Sequence, residues 1–275
     1  MNATEKASGK LILSGEYAVV FGHPGIAIPI PFTTQVTYHE NKHYEEAQYI
    51  QKIKKECETF TEPLSGTFTV ESAIPIGRGL GSSTALVIAI ARCLSLTKEQ
   101  ALSIEDTINP GHSGIDFETI WQERPLKFVK GHRPEPVDIN LDFLENTILI
   151  DTGKPNETTP ELVKWVKDNM APETYPFQTI AHCTKRLLQG ESPLTVFPDH
   201  HRAQIALGVV PKEGQKLITE IESVGGVAKV LGAGGRTGGG GMVLAVHSTV
   251  KNLEKVAQYF AFPIHPLQND LLHLA

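Results

Sequence analysis

The chain lacks the features that mark several large classes of protein. Its 275 residues contain no apolar run long enough to cross a bilayer, and the first ten, MNATEKASGK, contain no apolar core of the kind found in secretory signals. The formal net charge of −6 leaves no overall positive charge to attract nucleic acid. We therefore expect a protein that binds neither a membrane nor a nucleic acid.

Cysteine is also scarce. The chain has three, Cys57, Cys93 and Cys183, and their spacing matches no common metal motif. We interpret them as reduced thiols, which are typical of the cytoplasm. Hydrophobic residues make up 40% of the chain and charged residues 20%, so the composition predicts a globular protein with a substantial core.

Hydrophobic periodicity predicts a mixture of strands and helices. Residues 10–20 are expected to form a strand, a turn at Gly15 and a second strand. One helix is expected with Ser82 or Ser83 as its N-cap, and another over residues 97–108 with Thr97 as its N-cap. The second half is predicted to hold helices at 159–170, 176–189, 198–207, 212–224 and 250–260, and a hairpin of strands 227–231 and 242–247.

Glycine occurs in an unusual arrangement. The stretch IPIGRGLGSSTALVIAIARCL, residues 74–94, places Gly77, Gly79 and Gly81 directly before an apolar helix. Glycine lets backbone N–H groups approach a ligand closely, and a helix N-terminus attracts anions, so the pattern indicates a phosphate cradle. It is neither a Walker A loop nor a G-x-G-x-x-G fingerprint. The alternative is a plain turn between a strand and a buried helix.

A second glycine-rich segment, GAGGRTGGGG, occupies residues 232–241 between two predicted strands, and seven of its ten residues are glycine. A tight hairpin needs only one or two glycines. The segment is therefore either a backbone wall against a ligand or a flexible hairpin tip.

Four charged residues near these loops are candidates for chemistry. Lys10 enters the first apolar strand, Glu16 follows in the Gly15 turn, Glu105 lies on a predicted helix, and Asp116 follows Ser-Gly in a turn. Each also has an ordinary structural interpretation: strand ends are often charged, helix faces are solvated, and Asp is common in turns.

Taken together, these residues match the requirements of phosphoryl transfer. That reaction needs a phosphate cradle, a divalent cation, compensation of negative charge, and a carboxylate that orients the attacking hydroxyl. Mg²⁺ prefers oxygen ligands, which Ser83 and Glu105 would supply. The residues alone therefore predict a kinase that acts on a small molecule.

The chain resembles the GHMP kinase family in three motifs, in the family's order: KLILSGEYAVVFG, PIGRGLGSSTA and KVLGAGGRTGGGG. The resemblance implies an α+β fold of two domains, with ATP in the cleft between them. Residues 1–152 would form the first domain, with a left-handed βαβ unit, and residues 153–275 a ferredoxin-like second domain. The second motif would wrap the triphosphate of ATP.

Within the family, GKLILSGEYAVVFGHPGIAIPI, HSGIDFETIW and LIDTGKPNETTPELV resemble the members that phosphorylate mevalonate. By that resemblance, Asp116 would be the catalytic carboxylate, with Lys10 beside it, and Glu16 and His23 would contact the substrate. Ser83 and Glu105 would hold Mg²⁺. The residues implied in binding ATP are Pro75, Gly77, Arg78, Gly79, Leu80, Gly81, Ser82, Ser83, Thr84, Gly232, Ala233, Gly234 and Gly235.

Three departures from the family pattern keep alternatives open. Tyr17 stands where the mevalonate-phosphorylating members usually have His, and Gly-Glu-Tyr also occurs in members that phosphorylate phosphomevalonate. His112 stands in place of Pro, and Arg236 and Thr237 lengthen the third motif. The alternatives are a kinase for phosphomevalonate or another small alcohol, and a non-catalytic nucleotide-binding protein of the same fold. A homodimer is also left open.

Overall fold

Two long neighbouring strands organise the first half of the protein. In the computed structural model, which describes residues 2–267, β1 (Asn2–Ser14) pairs antiparallel with β2 (Gly25–His39). The expected second strand after Gly15 was wrong, because the chain there forms a short 3₁₀ helix, Ala18–Phe21. Gly15 has φ +115°, and a Cβ on it would lie 2.4 Å from the Cα of Gly25, so only glycine allows this close turn.

The first sheet is completed by three shorter strands. Both β3 (Thr67–Ser72) and β4 (Leu126–Phe128) pair antiparallel with β2, and β5 (Glu135–Pro136) pairs with β4. The helices of this half are α1 (Gln48–Cys57), α2 (Ser82–Cys93), α3 (Lys98–Ile108) and α4 (Ile115–Gln122). Apolar α2 is largely buried and contacts both β1 and β2, which fixes the glycine loop before it against the sheet.

Two helix predictions in this half had different outcomes. The N-cap at Thr97 is confirmed, because its side chain accepts from the Gln100 N–H and the Gln100 side chain accepts from the Thr97 N–H. The prediction of a turn around Asp116 was incomplete. The turn ends at Gly114, which has φ +93°, and α4 begins at Ile115. Asp116 therefore lies in the first turn of a helix.

The second sheet is also antiparallel, in the order β7–β8–β6–β9. Its strands are β6 (Thr147–Asp151), β7 (Val227–Val230), β8 (Met242–Val246) and β9 (Ile264–Pro266). The predicted hairpin is confirmed as β7 and β8. The division of the chain at residue 152 stays a prediction, as do the left-handed βαβ unit and the ferredoxin-like domain; β6, just before residue 152, already pairs within the second sheet.

The second half also contains helices, several of which pack against this sheet. They are α5 (Thr159–Asn169), α6 (Tyr175–Leu188), α7 (Pro193–Ala206), α8 (Lys212–Ser223) and α9 (Val250–Tyr259). The helix predicted to begin at Pro198 in fact begins at Pro193, where Ser192 is the N-cap and proline takes the first helical position. Within residues 2–267 no helix is long and apolar enough to cross a membrane.

Candidate functional site

The first glycine loop leads directly into α2. Gly77, Gly79 and Gly81 all have positive φ, and Gly81 is the N-cap, so the prediction of Ser82 or Ser83 as N-cap was wrong by one residue. A Cβ at Gly81 would lie 2.9 Å from Ile120 Cδ1. Glycine is therefore required here for close packing at the helix N-terminus, where the first N–H groups have no intrahelical partner and can bind an anion.

Lys10 connects the glycine loop to the N-terminus of α4. It lies inside β1 rather than at its head, and its side chain is only 2% exposed. Its backbone N–H donates to Leu80 O at 3.0 Å, and its Nζ donates to Gly79 O at 2.9 Å. The same Nζ lies 2.9 Å from Asp116 Oδ1, whose side chain is 33% exposed. The structure thus brings the first and second motifs and the predicted catalytic carboxylate together.

A cavity of about 140 Å³ opens beside this pair. Lys10, His112 and Asp116 supply polar and titratable side chains, and Ile12, Val19, Val20, Ile115 and Val163 supply an apolar wall; Glu16 and Tyr17 also line the cavity, but both residues are buried. The N-terminus of α4 favours negative charge at Asp116, and Lys10 compensates it. A small molecule with a hydroxyl directed toward Asp116 would fit this arrangement.

Glu105 and Ser83 belong to one hydrogen-bonded group. Glu105 is 1% exposed, and its two oxygens accept from Thr84 Oγ1 at 2.7 Å and from Asn109 Nδ2 at 3.0 Å. The Ser83 hydroxyl donates to Asn109 Oδ1 at 3.0 Å, and the Tyr49 hydroxyl is hydrogen-bonded to Ser83. Burial raises the pKa of the Glu105 carboxyl, against the hydrogen bonds from Thr84 and Asn109.

This oxygen-rich group suits Mg²⁺. Within residues 2–267 no three His, Cys, Asp or Glu side chains are grouped to hold a metal, so a cage made by protein alone is absent there. Mg²⁺ is commonly bound by one or two protein oxygens together with phosphate and water, which matches one buried carboxylate and one hydroxyl. Asn109 and Tyr49 were missed by sequence reasoning; the spacing of Asn109, four residues after Glu105 on α3, was the available signal.

Glu16 takes part in a second, buried group. Its carboxylate forms an ion pair with Lys229 Nζ, and its Oε2 lies 3.1 Å from His200 Nε2. Lys229 Nζ also donates to Ile12 O at 3.0 Å. Burial alone would raise the pKa of Glu16, but Lys229 and His200 lower it to about 2. Sequence reasoning placed Glu16 in the Gly15 turn and missed Lys229 and His200, which lie on β7 and α7; the contact of Glu16 with substrate stays a prediction.

Tyr17 joins the first motif to the third. Its φ is +61°, an uncommon conformation for a non-glycine residue, and its buried hydroxyl donates to Ala233 O. Burial raises the pKa of the Tyr17 phenol, so the hydroxyl stays protonated as a donor. His23 is half-buried after the 3₁₀ helix and does not line the cavity; its contact with substrate stays a prediction.

The glycine-rich segment of the third motif, residues 232–241 and from here on the third glycine segment, has two different surroundings. Gly232 packs against the first glycine loop, where its Cβ would lie 3.1 Å from Gly79 Cα. Farther along, a Cβ on Gly239 would lie 2.2 Å from Gly153 O, and one on Gly235 would lie 2.4 Å from Gly239 O. The segment is therefore not a free hairpin tip, and the ligand-wall interpretation stays a prediction, since Gly232, Ala233, Gly234, Gly240 and Gly241 line cavities. The segment is backbone packed on the turn after β6.

Arg236 and Arg78 are both occupied by protein groups. The Arg236 guanidinium stacks over the Trp165 ring, 3.9 Å from its centroid, while remaining exposed. Arg78 Nε donates to both oxygens of Asp151, at 2.6 and 2.8 Å. Arg78 nevertheless lines a second cavity of about 280 Å³, which shares Gly79 and Ala233 with the first.

The other residues predicted to bind ATP fall into three groups. Gly77, Gly79 and Gly234 line the second cavity. Leu80 and Thr84 are buried, and Thr84 is bound to Glu105. The remainder, Pro75, Gly81, Ser82, Ser83 and Gly235, line neither of the two cavities. Their roles stay predictions.

Comparison with known proteins gives consistent results. The sequence profile described as "GHMP kinases N terminal domain" matches residues 45–113. The chain is 26% identical to a mevalonate kinase of Thermococcus onnurineus over 296 aligned residues, covering 86% of this chain and 87% of that one.

Solved structures share the fold. A Methanococcus jannaschii mevalonate kinase aligns with a TM-score of 0.79 at 18% identity, covering 98% of this chain and 99% of the other. A Streptococcus pneumoniae phosphomevalonate kinase, in complex with phosphomevalonate and AMPPNP, aligns with a TM-score of 0.73 at 17% identity, covering 95% and 99%. The α+β fold predicted from the three motifs is confirmed, and so is the resemblance of this chain to the GHMP kinases.

Proposed function

We propose that the protein transfers the terminal phosphoryl group of ATP to the primary hydroxyl of mevalonate, giving 5-phosphomevalonate. The observation that carries the proposal is the Lys10–Asp116 pair, 2.9 Å apart, at the junction of a small cavity and the glycine loop before α2. The curated relative of T. onnurineus is named a mevalonate kinase, and the structural relative from S. pneumoniae is described with AMPPNP, an analogue of ATP.

The residues at the site would divide the reaction among them. Asp116 accepts the hydrogen bond of the substrate hydroxyl and takes its proton as the hydroxyl oxygen bonds to the terminal phosphorus of ATP, whose bond to ADP breaks. Lys10 compensates charge at Asp116 and at the transferred group. The N-terminus of α2 binds phosphate through backbone N–H groups. Ser83 and Glu105 would hold Mg²⁺, which neutralises phosphate charge when bound.

The main alternative, a phosphomevalonate kinase, is less well supported. Its substrate carries an additional phosphate, which would need further cations at the first cavity. The basic residues that the sequence suggests for this role are Arg78, Lys127 and Lys130, and none of them lines that cavity. Arg78 is paired with Asp151, and Lys127 with Glu135 at 3.0 Å.

A coupled assay of ADP release with Mg·ATP tests the proposal, comparing mevalonate with 5-phosphomevalonate at equal concentrations. We expect turnover with mevalonate and none with 5-phosphomevalonate. Turnover only with the phosphorylated compound would select the alternative kinase. Binding of ATP without turnover on either compound, or on other small alcohols, would indicate a non-catalytic nucleotide-binding protein.

A further inference from the structure

Cations beside the glycine loop strengthen the binding of nucleotide phosphates there. Nucleotide phosphates carry several negative charges, and this chain has a formal net charge of −6. Lys10 is engaged with Asp116 and with Gly79 O, and Arg78 is engaged with both oxygens of Asp151. These two cations are therefore already paired with protein acceptors.

Lys154 lines the second cavity and lies beside the same loop. A Cβ built on Gly77 would lie 3.6 Å from Lys154 Cε and 3.8 Å from its Cδ, so the hydrocarbon part of Lys154 runs beside the loop backbone. Lys154 and Gly77 both line the cavity of about 280 Å³. The Lys154 side chain is exposed, and its ammonium makes no ion pair or hydrogen bond with any residue between 2 and 267.

The turn that carries Lys154 is held firmly in place. Asp151 Oδ1 accepts from the Gly153 N–H at 2.8 Å, so the carboxylate that neutralises Arg78 also fixes the turn. On the other side, Gly239 N donates to Lys154 O at 3.0 Å and Gly241 N to Gly153 O at 2.9 Å. This backbone pairing needs the glycines of the third segment, since a Cβ at position 239 would overlap Gly153 O.

We propose that Lys154 is a further phosphate-binding residue of the nucleotide site, placed there by the turn after β6 and by residues 238–241 of the third glycine segment. In this arrangement Arg78 pairs with Asp151 and helps to position the turn, and the ammonium of Lys154 binds the phosphates. The inference rests on the proposed function only in requiring that a nucleoside phosphate binds at the glycine loop. It also explains why the lengthened third segment keeps so many glycines at positions distant from the Lys10–Asp116 pair.

Isothermal titration of Mg·ADP into wild type, Lys154→Met, Lys154→Arg and Lys164→Met tests the inference without turnover. Methionine keeps the hydrocarbon part of the side chain and removes the charge. We expect Lys154→Met to raise the Kd about tenfold and Lys154→Arg to stay within about threefold of wild type, because charge-assisted hydrogen bonds to phosphate are strong. Lys164, an exposed lysine of α5 paired with Asp168, is the matched control and should leave the Kd unchanged.

Salt dependence separates a direct charge contact from a structural effect. Raising ionic strength should weaken Mg·ADP binding less in Lys154→Met than in wild type, because the variant has lost a screened attraction. Equal Kd values and equal salt dependence in wild type and Lys154→Met would overturn the role of Lys154 and leave the proposed function standing.

Two other outcomes separate the inference from the proposed function. Lys154-dependent binding of Mg·ADP, together with no turnover of any alcohol, would uphold the inference and overturn the proposed kinase activity. Absence of Mg·ADP binding by the wild type would overturn both.

Discussion

Two lysine–carboxylate pairs lie a few residues apart along β1 and the turn after it, and they differ in exposure to solvent. In the Lys10–Asp116 pair the lysine side chain is 2% exposed and the aspartate 33%, with the carboxylate facing a cavity. In the Lys229–Glu16 pair the corresponding values are 0% and 1%. One carboxylate can meet a substrate, while the other is enclosed by protein.

The difference shows how one chemical pairing serves two purposes. A buried ion pair stabilises little relative to an apolar pair, but removing one partner leaves an unpaired buried charge. Lys229 extends from β7 to Ile12 O on β1 and to Glu16, so this pair ties the two sheets together. The Lys10–Asp116 pair keeps a carboxylate available at the site that this connection holds in place.

The largest expected effect is the loss of turnover in Asp116→Asn. The amide cannot accept the substrate proton, so kcat should fall by about 10³-fold, within the range typical for general-base removal. Partial exposure of Asp116 means that stability and Mg·ADP affinity should change little. Steady-state kinetics, chemical unfolding and calorimetry on the same preparations would check this.

Asp168→Asn, in an exposed pair on α5, is the matched control for this substitution. It should retain wild-type kcat. Retention of kcat within tenfold in Asp116→Asn would show that Asp116 is not the base.

The second prediction concerns Lys229→Met and Lys10→Met. Lys229→Met leaves Glu16 buried without its cation, and we expect a loss of about 3–5 kcal/mol in the free energy of unfolding. Lys10→Met should cost less stability, because Asp116 can be solvated through the cavity. Urea unfolding at neutral pH measures both variants.

A double variant makes this comparison stricter. Replacing Glu16 as well as Lys229 with Met removes both charges, so the double variant should be more stable than Lys229→Met alone. Equal destabilisation by Lys10→Met and Lys229→Met would contradict the distinction between an accessible and an enclosed pair.

A third prediction is acid sensitivity beside the buried pair. Burial, followed by the charges of His200 and Arg202, lowers the pKa of His201 from 6.5 to about 4. Between those values the unfolded chain binds a proton that the folded chain does not, so stability falls as pH decreases from 6.5 to 4, by up to about 3 kcal/mol at 1.4 kcal/mol per pKa unit. Glu16, with a pKa of about 2, adds its own loss only below its ordinary value of 4.5.

Urea unfolding at several pH values, on wild type and His201→Gln, measures this dependence. The variant should be less sensitive to acid between pH 6.5 and 4. His182→Gln, which replaces an exposed histidine of α6, should keep the wild-type profile. An identical profile in His201→Gln and wild type would show that His201 does not contribute.

The sequence predicted well whatever depends on local pattern. The capping box at Thr97 is visible in four consecutive residues, and the hairpin around the third glycine segment follows from two short apolar runs. The three glycines before α2 were recognised as a loop with special backbone geometry, and their positive φ angles agree. These features are decided within a few residues, so neighbouring sequence carries the information.

Features that depend on distant packing were not predictable in this way. Lys229 lies 213 residues from Glu16, and nothing in either local sequence indicates the other. The length of β1 was underestimated because Glu5, Lys6 and Gly9 have low strand propensity, which pairing with β2 overrides. The engagement of Arg78 with Asp151 was equally hidden, since the aspartate belongs to a strand of the other sheet.

The smallest expected effect tests the contact that links the first motif to the third. Tyr17→Phe removes the hydrogen bond to Ala233 O while keeping the ring, so the free energy of unfolding should fall by about 1 kcal/mol. Because Ala233 lines both cavities, we also expect the KM for ATP to rise about threefold with kcat nearly unchanged. The rise is small because only part of the lost hydrogen-bond energy affects ATP binding. Tyr259→Phe, at a position 82% exposed, is the matched control and should change neither quantity. If Tyr17→Phe instead lowered kcat as strongly as Asp116→Asn, Tyr17 would act with the accessible Lys10–Asp116 pair at the reacting hydroxyl. Its role would then be chemical rather than structural.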